Sequence, residues 1–223
     1  MTADRPATAA QPSPAGFVLS HARLRPVPLV PEIALHLADD AFSVWEDTER
    51  HASRSEQPPP FWAFAWPGGQ ALARYLLDHP DHVAGRPVLD LGSGSGLAAI
   101  AAARAGASAV RASETDPFAH AAIMLNAAAN KVPVTVTGDV LDGSGEDAEV
   151  ILAADIWYEH RLAARALGLL QRARARGASV LAGDIGRAFL PRPLLRELAC
   201  YDVPVIAQLE DAAEKRVLIL TLR

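Results

Sequence analysis

The sequence predicts an α/β fold in which a mostly parallel sheet carries helices on both faces. Three observations carry that prediction. From Pro87 onward, short runs rich in Val, Leu, Ile and Ala alternate with longer segments of helical periodicity. A glycine-rich loop, Asp90-Leu91-Gly92-Ser93-Gly94-Ser95-Gly96, joins the first such run to the first such helix. The chain closes on two apolar runs separated by a polar turn, so at least one strand there is antiparallel.

The elements follow in order. Residues 1–16 are mostly Ala, Pro, Thr and Ser and are expected to be a mobile tail. Residues 17–60 read as an N-terminal extension. Within it, residues 27–37 are rich in Val, Ile and Leu but broken by Pro28 and Pro31, the pattern of edge strands. Residues 48–59 are polar and run into Pro58-Pro59-Pro60, a loop. The main domain is expected over residues 61–223. Pro67-Gly68-Gly69-Gln70 punctuates its start, and a helix follows with Leu72, Tyr75 and Leu76 on one face. His79 and Pro80 close that helix, His79 as a cation at its end.

Strands are predicted over 88–91, 110–113, 134–137, 150–154 and 179–182, with helices over 97–105, 118–129, 161–176 and 194–199. Strands over 203–209 and 217–222, joined by the polar turn 210–215, complete the domain.

Composition narrows the function classes. The 223 residues, half of them hydrophobic, suffice for one well-packed domain with a short extension. The net charge of −5 comes from mixed acids and bases without basic runs, which argues against a nucleic-acid or membrane surface. Cys200 is the lone cysteine, so there is no internal disulfide, and no metal-ligand cluster surrounds it. There is no membrane-length apolar run and no signal-peptide pattern, and a cytoplasmic location is expected. The oligomeric state is left open, with a monomer as the working expectation.

The glycine loop is the first candidate site. Gly92, Gly94 and Gly96 allow a tight turn and close backbone approach, and amides at the helix start face a ligand. The nicotinamide pattern is G-x-G-x-x-G, whereas this loop reads D-x-G-x-G-x-G. Asp90, ahead of the glycines, repels a pyrophosphate and suits a cationic ligand. S-adenosylmethionine, with its amino group and sulfonium, fits, and Ser93 falls within the same loop. Glu114 ends the next strand, where an acid takes ribose hydroxyls in dinucleotide folds. Asp116, before Pro117, reads as a helix cap. Asp139 ends the third strand and can accept from an adenine amino group, with Val140 packing on the ring; a plain turn aspartate is the equal alternative.

The fourth strand ends in Asp155-Ile156-Trp157-Tyr158. A lysine acceptor, with a free pKa of about 10.4, arrives protonated. Asp155 can hold that ammonium while an apolar pocket favours loss of its proton. Tyr158 narrows the pocket or donates a hydrogen bond. Trp157 and Tyr158 are equally readable as core.

The run Pro60-Phe61-Trp62-Ala63 through Trp66-Pro67-Gly68-Gly69-Gln70, followed by Val88-Leu89-Asp90-Leu91-Gly92-Ser93-Gly94, resembles the lysine methyltransferases of the electron-transfer flavoprotein beta subunit. These belong to the Rossmann-like seven-strand methyltransferases. Asp116-Pro117, Leu125-Asn126 and Gly183-Asp184 with Gly186-Arg187 add to the likeness, which spans about residues 31–187. The resemblance implies a seven-strand sheet with an antiparallel last strand, S-adenosylmethionine as cofactor and a protein lysine, on that flavoprotein subunit, as acceptor. It implies catalytic roles for Asp155 and Tyr158 in an acid-x-x-Tyr motif, Trp66 beside the cofactor, and Asp184 near the substrate opening with Trp157. Glu114 stands where an aspartate is commoner, and Ile185 where a proline is usual. Competing expectations are another protein acceptor such as a ribosomal protein, a small amine, or cofactor binding without turnover.

Overall fold

The computed structural model describes residues 12–52, 59–143, 147–205 and 212–223. Its centre is a seven-stranded sheet of order β5-β4-β3-β6-β7-β9-β8. The strands are β3 (Pro87–Leu91), β4 (Ala109–Ser113), β5 (Thr135–Thr137), β6 (Val150–Ala154), β7 (Ser179–Asp184), β8 (Leu195–Pro204) and β9 (Glu214–Leu222). β5, β4, β3, β6 and β7 pair in parallel, and β9 runs antiparallel to both β7 and β8. The α/β prediction and the antiparallel last strand therefore hold.

Side-chain alternation explains the two layers. In β3, Val88 packs on one face while Leu89 and Leu91 pack on the other; in β6, Val150 and Leu152 alternate with Ile151 and Ala153. One face is covered by α3 (Pro67–Asp78), α4 (Leu97–Arg104) and α5 (Pro117–Ala129), the other by α6 (His160–Ala175). Asp90 shares the parity of Val88, so its side chain emerges under the start of α4 rather than among the leucines. Asp116 caps α5 as expected, its carboxylate accepting from the Phe118 N–H at 2.8 Å.

The N-terminal segment forms α1 (Pro14–His21), a hairpin of β1 (Arg23–Val27) and β2 (Val30–Leu37), and α2 (Ala41–Ala52). The hairpin is a separate two-stranded sheet, which accommodates Pro26 and Pro31. A buried amide clasps it to the main domain. Asn126 of α5 accepts from the His36 N–H at 2.8 Å, with the His36 ring Nδ1 2.8 Å from the same oxygen, and donates to the Ser95 carbonyl of the glycine loop at 2.8 Å. Asn126→Ala leaves these groups buried and unpaired, so a stability loss of about 3 kcal/mol is expected. Urea denaturation with an unchanged slope checks it, and a loss within about 0.5 kcal/mol, the scale of a surface change, would show the clasp to be dispensable.

Three expectations fall differently. Residues 195–199 are not helical; a short 3-10 turn ends at Leu194, and the chain then enters the ten-residue β8, which is held along its length by β9. Strand pairing of this length overrides local helical periodicity. Of the strand expected over 203–209, Val203 and Pro204 belong to β8 and residues 206–209 lie outside the described residues, as do 210 and 211 of the expected turn. Residues 48–52 continue α2 instead of opening a loop, and α1 begins at Pro14, capped by the Ser13 hydroxyl, inside the segment expected as tail. No described helix is long and apolar enough to cross a membrane.

Candidate active site

The parallel strands β3, β4 and β6 end on one edge of the sheet, and their following segments enclose a cavity of about 390 Å³. That edge is where open parallel sheets bind ligands. The cavity is lined by Trp66, Asp90, Gly92, Ser93, Gly94, Glu114, Asp139, Asp155 and Tyr158 among the residues singled out from the sequence.

The glycine loop turns from β3 into α4 with Gly92 and Gly94 at φ of 59° and 53°, a region that disfavours side-chain-bearing residues. Beneath it Asp90 is 2% exposed. Its Oδ2 accepts from the Ser93 hydroxyl at 2.5 Å and from the Ala99 N–H at 3.1 Å. Ala99 is in the first turn of α4, so Asp90 satisfies a donor that the helix itself cannot. Glu114, at the end of β4, accepts the Gly94 N–H at 3.0 Å through Oε2 and the Thr115 N–H at 2.7 Å through Oε1. The loop and the carboxylate thus hold each other at the cavity wall.

Asp155, at the end of β6, repeats the arrangement of Asp90. Its Oδ2 accepts from the Gly69 N–H at 3.0 Å, in the first turn of α3. Its Oδ1 faces Arg187, 3.3 Å from Nη2. Its backbone is left-handed, with φ of 55°, a conformation that costs a non-glycine residue on the order of 1 kcal/mol or more. Two close approaches hold it there. A Cβ on Gly68 would stand 2.3 Å from the Gly183 carbonyl and 2.6 Å from the Asp155 carboxylate, and the Asp155 N–H donates to that same carbonyl at 3.0 Å.

Burial pushes the Asp90 and Asp155 carboxyls from the ordinary 3.8 up to about 7. At Asp155, Arg187 opposes that rise and Asp184 adds to it. The folded chain therefore keeps protons that the unfolded chain releases, and stability contributed through these groups falls as pH rises from about 4 to about 7. A melting temperature for the free protein that declines across this window is expected, with part of the decline removed in Asp90→Asn. A melting temperature that climbs steadily through it would contradict the assignment.

Aromatic rings wall the remaining side. Trp66 donates through Nε1 to the Phe61 carbonyl at 2.9 Å, and the Phe61 ring lies 5.3 Å from Tyr158. Tyr158 is 46% exposed and stands at the mouth.

Four sequence-singled residues do not line the cavity. Trp157 is 1% exposed and packs between sheet and α6, which removes it from contact with a substrate. Val140 is buried in that same core, and the next residue, Leu141, reaches the cavity in its place. Gly96 caps α4, where a Cβ would press on Ile123 at 3.3 Å. Asp184 is fully buried: its Oδ1 accepts the Gly186 and Arg187 N–H groups at 2.6 and 2.7 Å, its Oδ2 is buried without a hydrogen-bond partner, and burial raises its pKa. It shapes the turn rather than the opening. Asp139 does line the cavity, but Arg165 and the Leu141 N–H, each at 2.9 Å, already engage its carboxylate. Sequence reasoning missed Phe61, Gly69, Arg165 and Arg187 as lining residues. Phe61, Gly69 and Arg187 stand in the runs that carry the resemblance, whereas Arg165 carried no signal.

Comparisons with known proteins bear on this geometry. The family model of ribosomal protein L11 methyltransferase (PrmA) matches residues 71–161. An electron transfer flavoprotein beta subunit lysine methyltransferase of Xenopus laevis is 41% identical over 189 residues, covering 83% of this chain and 76% of that protein. Its counterpart in Rattus norvegicus is 42% identical over 191 residues, covering 82% and 73%. Among solved structures, the Pyrococcus abyssi tRNA (uracil-54, C5)-methyltransferase in complex with S-adenosyl-L-homocysteine superposes with a TM-score of 0.51 at 16% identity, over 67% of this chain and 38% of that one, and supports the fold. With both vertebrate proteins matched over most of their length, the chain belongs to the electron transfer flavoprotein beta subunit lysine methyltransferase family.

Proposed function

We propose that the protein transfers a methyl group from S-adenosylmethionine to lysine side chains, with the electron transfer flavoprotein beta subunit as acceptor. One observation carries the reading: two strand-end acids, Asp90 and Asp155, face a single cavity, one under a glycine loop and the other beside aromatic rings. The residues fit the cofactor. Asp90 supplies negative charge for its amino group and sulfonium, Glu114 supplies acceptors for ribose hydroxyls, and the glycines leave room for the chain to pass close. When bound, the cofactor supplies an electrophilic methyl group.

The chain's own residues do the rest. Asp155 holds the incoming ammonium and orients it. The aromatic wall of Phe61, Trp66 and Tyr158 excludes water, which favours the neutral amine and its loss of a proton to solvent. Tyr158 narrows the mouth. Asp184 acts through Arg187, whose backbone it fixes. We place the enzyme in the cytoplasm as a monomer, with residues 61–223 as the catalytic domain.

A ribosomal protein is the second acceptor reading, favoured by the match over residues 71–161. Labelled S-adenosylmethionine, incubated with each purified candidate and followed by peptide mapping, separates the two. Label on a lysine of the flavoprotein subunit is expected. Absence of label from the lysines of both proteins would remove both acceptors.

A further inference from the structure

Arg187 is the cavity-lining cation held against Asp155, and the reaction above gives its guanidinium no direct role. Its backbone is fixed by Asp184, and its side chain is 19% exposed. The guanidinium lies 3.3 Å from Asp155 Oδ1, and its central carbon stands 5.9 Å from the centroid of the Trp66 ring. A carboxylate beside an aromatic face is the recognition chemistry of an alkylammonium. The chain's own cation therefore lies where an acceptor lysine, read as in the preceding section, would place its head.

We propose that Arg187 is an internal stand-in for the substrate cation: it fills the acceptor subsite between Asp155 and Trp66 and leaves when a lysine enters. Charge supports the exchange. Asp155 and Asp184 are two buried or nearly buried carboxyl groups whose charge this guanidinium offsets, Asp155 by direct contact and Asp184 together with Arg192. Removing the guanidinium without a replacement leaves Asp155 uncompensated, whereas replacing it with an ammonium keeps the balance. The gate also sets specificity. A protein acceptor gains docking energy elsewhere on its surface and can displace the side chain, whereas a free small amine has only its head to bind with. Arg187 thus determines that acceptors arrive on a protein.

The test uses n-butylammonium, a lysine side chain without a backbone, titrated calorimetrically into the full chain. Wild type is expected to bind it at least about tenfold more weakly than Arg187→Ala, a difference of 1.4 kcal/mol. Arg187→Met keeps bulk while removing charge, and it carries the test if the alanine variant does not fold. Adding Asp155→Asn to either variant is expected to abolish the gain. With S-adenosylmethionine present, methylation of Nα-acetyl-lysine amide is expected to rise in kcat/KM by a similar factor in the single variants. Folded variants that bind n-butylammonium no better than wild type overturn the gate. If wild type still methylates its protein acceptor, the proposed function survives that failure. If wild type methylates no protein lysine, the function fails, and the calorimetry still decides whether Arg187 fills a cation subsite.

Discussion

Asp155→Asn is expected to lower methyl transfer on the order of a hundredfold or more while leaving cofactor affinity close to wild type. The amide keeps the size of the carboxylate, and its oxygen can still accept the Gly69 N–H that ties β6 to α3. What disappears is the charge facing the acceptor subsite. The split between an unchanged dissociation constant and a collapsed kcat distinguishes this from general damage to the fold. The pH profile adds a second readout. Asp155 is pushed up to about 7, so its carboxylate form, and the activity that depends on it, grows as pH rises through that value. The variant should lose that rise. Turnover within about threefold of wild type, well short of the loss expected of such a group, would mean that Asp155 serves only as a cap on α3.

Gly68→Ala has the largest expected effect on stability. The added methyl would sit 2.3 Å from the Gly183 carbonyl and 2.6 Å from the Asp155 carboxylate. The first of these is backbone in the middle of the sheet edge, so no rotamer change relieves it. Gly183 has the reciprocal problem, with its Cβ 2.3 Å from the Gly68 carbonyl. Overpacking of this kind costs about 3 kcal/mol or more, and any relief moves α3 off β7 and Asp155 out of place. Gly69→Ala is the control. Its Cβ would meet Leu97 at an ordinary 3.8 Å, so a change of less than about 1 kcal/mol is expected. Thermal denaturation of the two variants checks the contrast, and equal stability would contradict the packing argument.

The sheet was legible because its strands are short apolar runs set off by turn residues, and because the glycine loop marks the first strand–helix junction. What was hidden depended on long-range pairing. Residues 195–199 carry no strand signature that outweighs their helical periodicity, and pairing with β9 makes them a strand. In the site, Asp90, Glu114 and Asp155 were legible as acids at strand ends, because a strand end on this edge faces the ligand whatever the details. The finer assignments depended on which way a side chain turns after the strand stops. Val140 and Trp157 turn into the core, and Leu141 and Tyr158 turn to the cavity. Asp184 ends β7 and Asp155 directly follows β6, yet one closes a turn and the other faces the cavity. Asp184 is turned inward by the Gly186 and Arg187 N–H groups of the turn that follows it, while the Arg187 guanidinium reaches the Asp155 carboxylate only in the folded chain.

A crystal structure with S-adenosylhomocysteine, the demethylated cofactor, tests the arrangement most directly. The ribose should lie against Glu114, the amino-acid portion near Asp90 and the glycine loop, and the sulfur on the side open to Asp155 and Trp66. A nucleoside seated elsewhere on the chain, or a sulfur walled off from Asp155, would contradict the account.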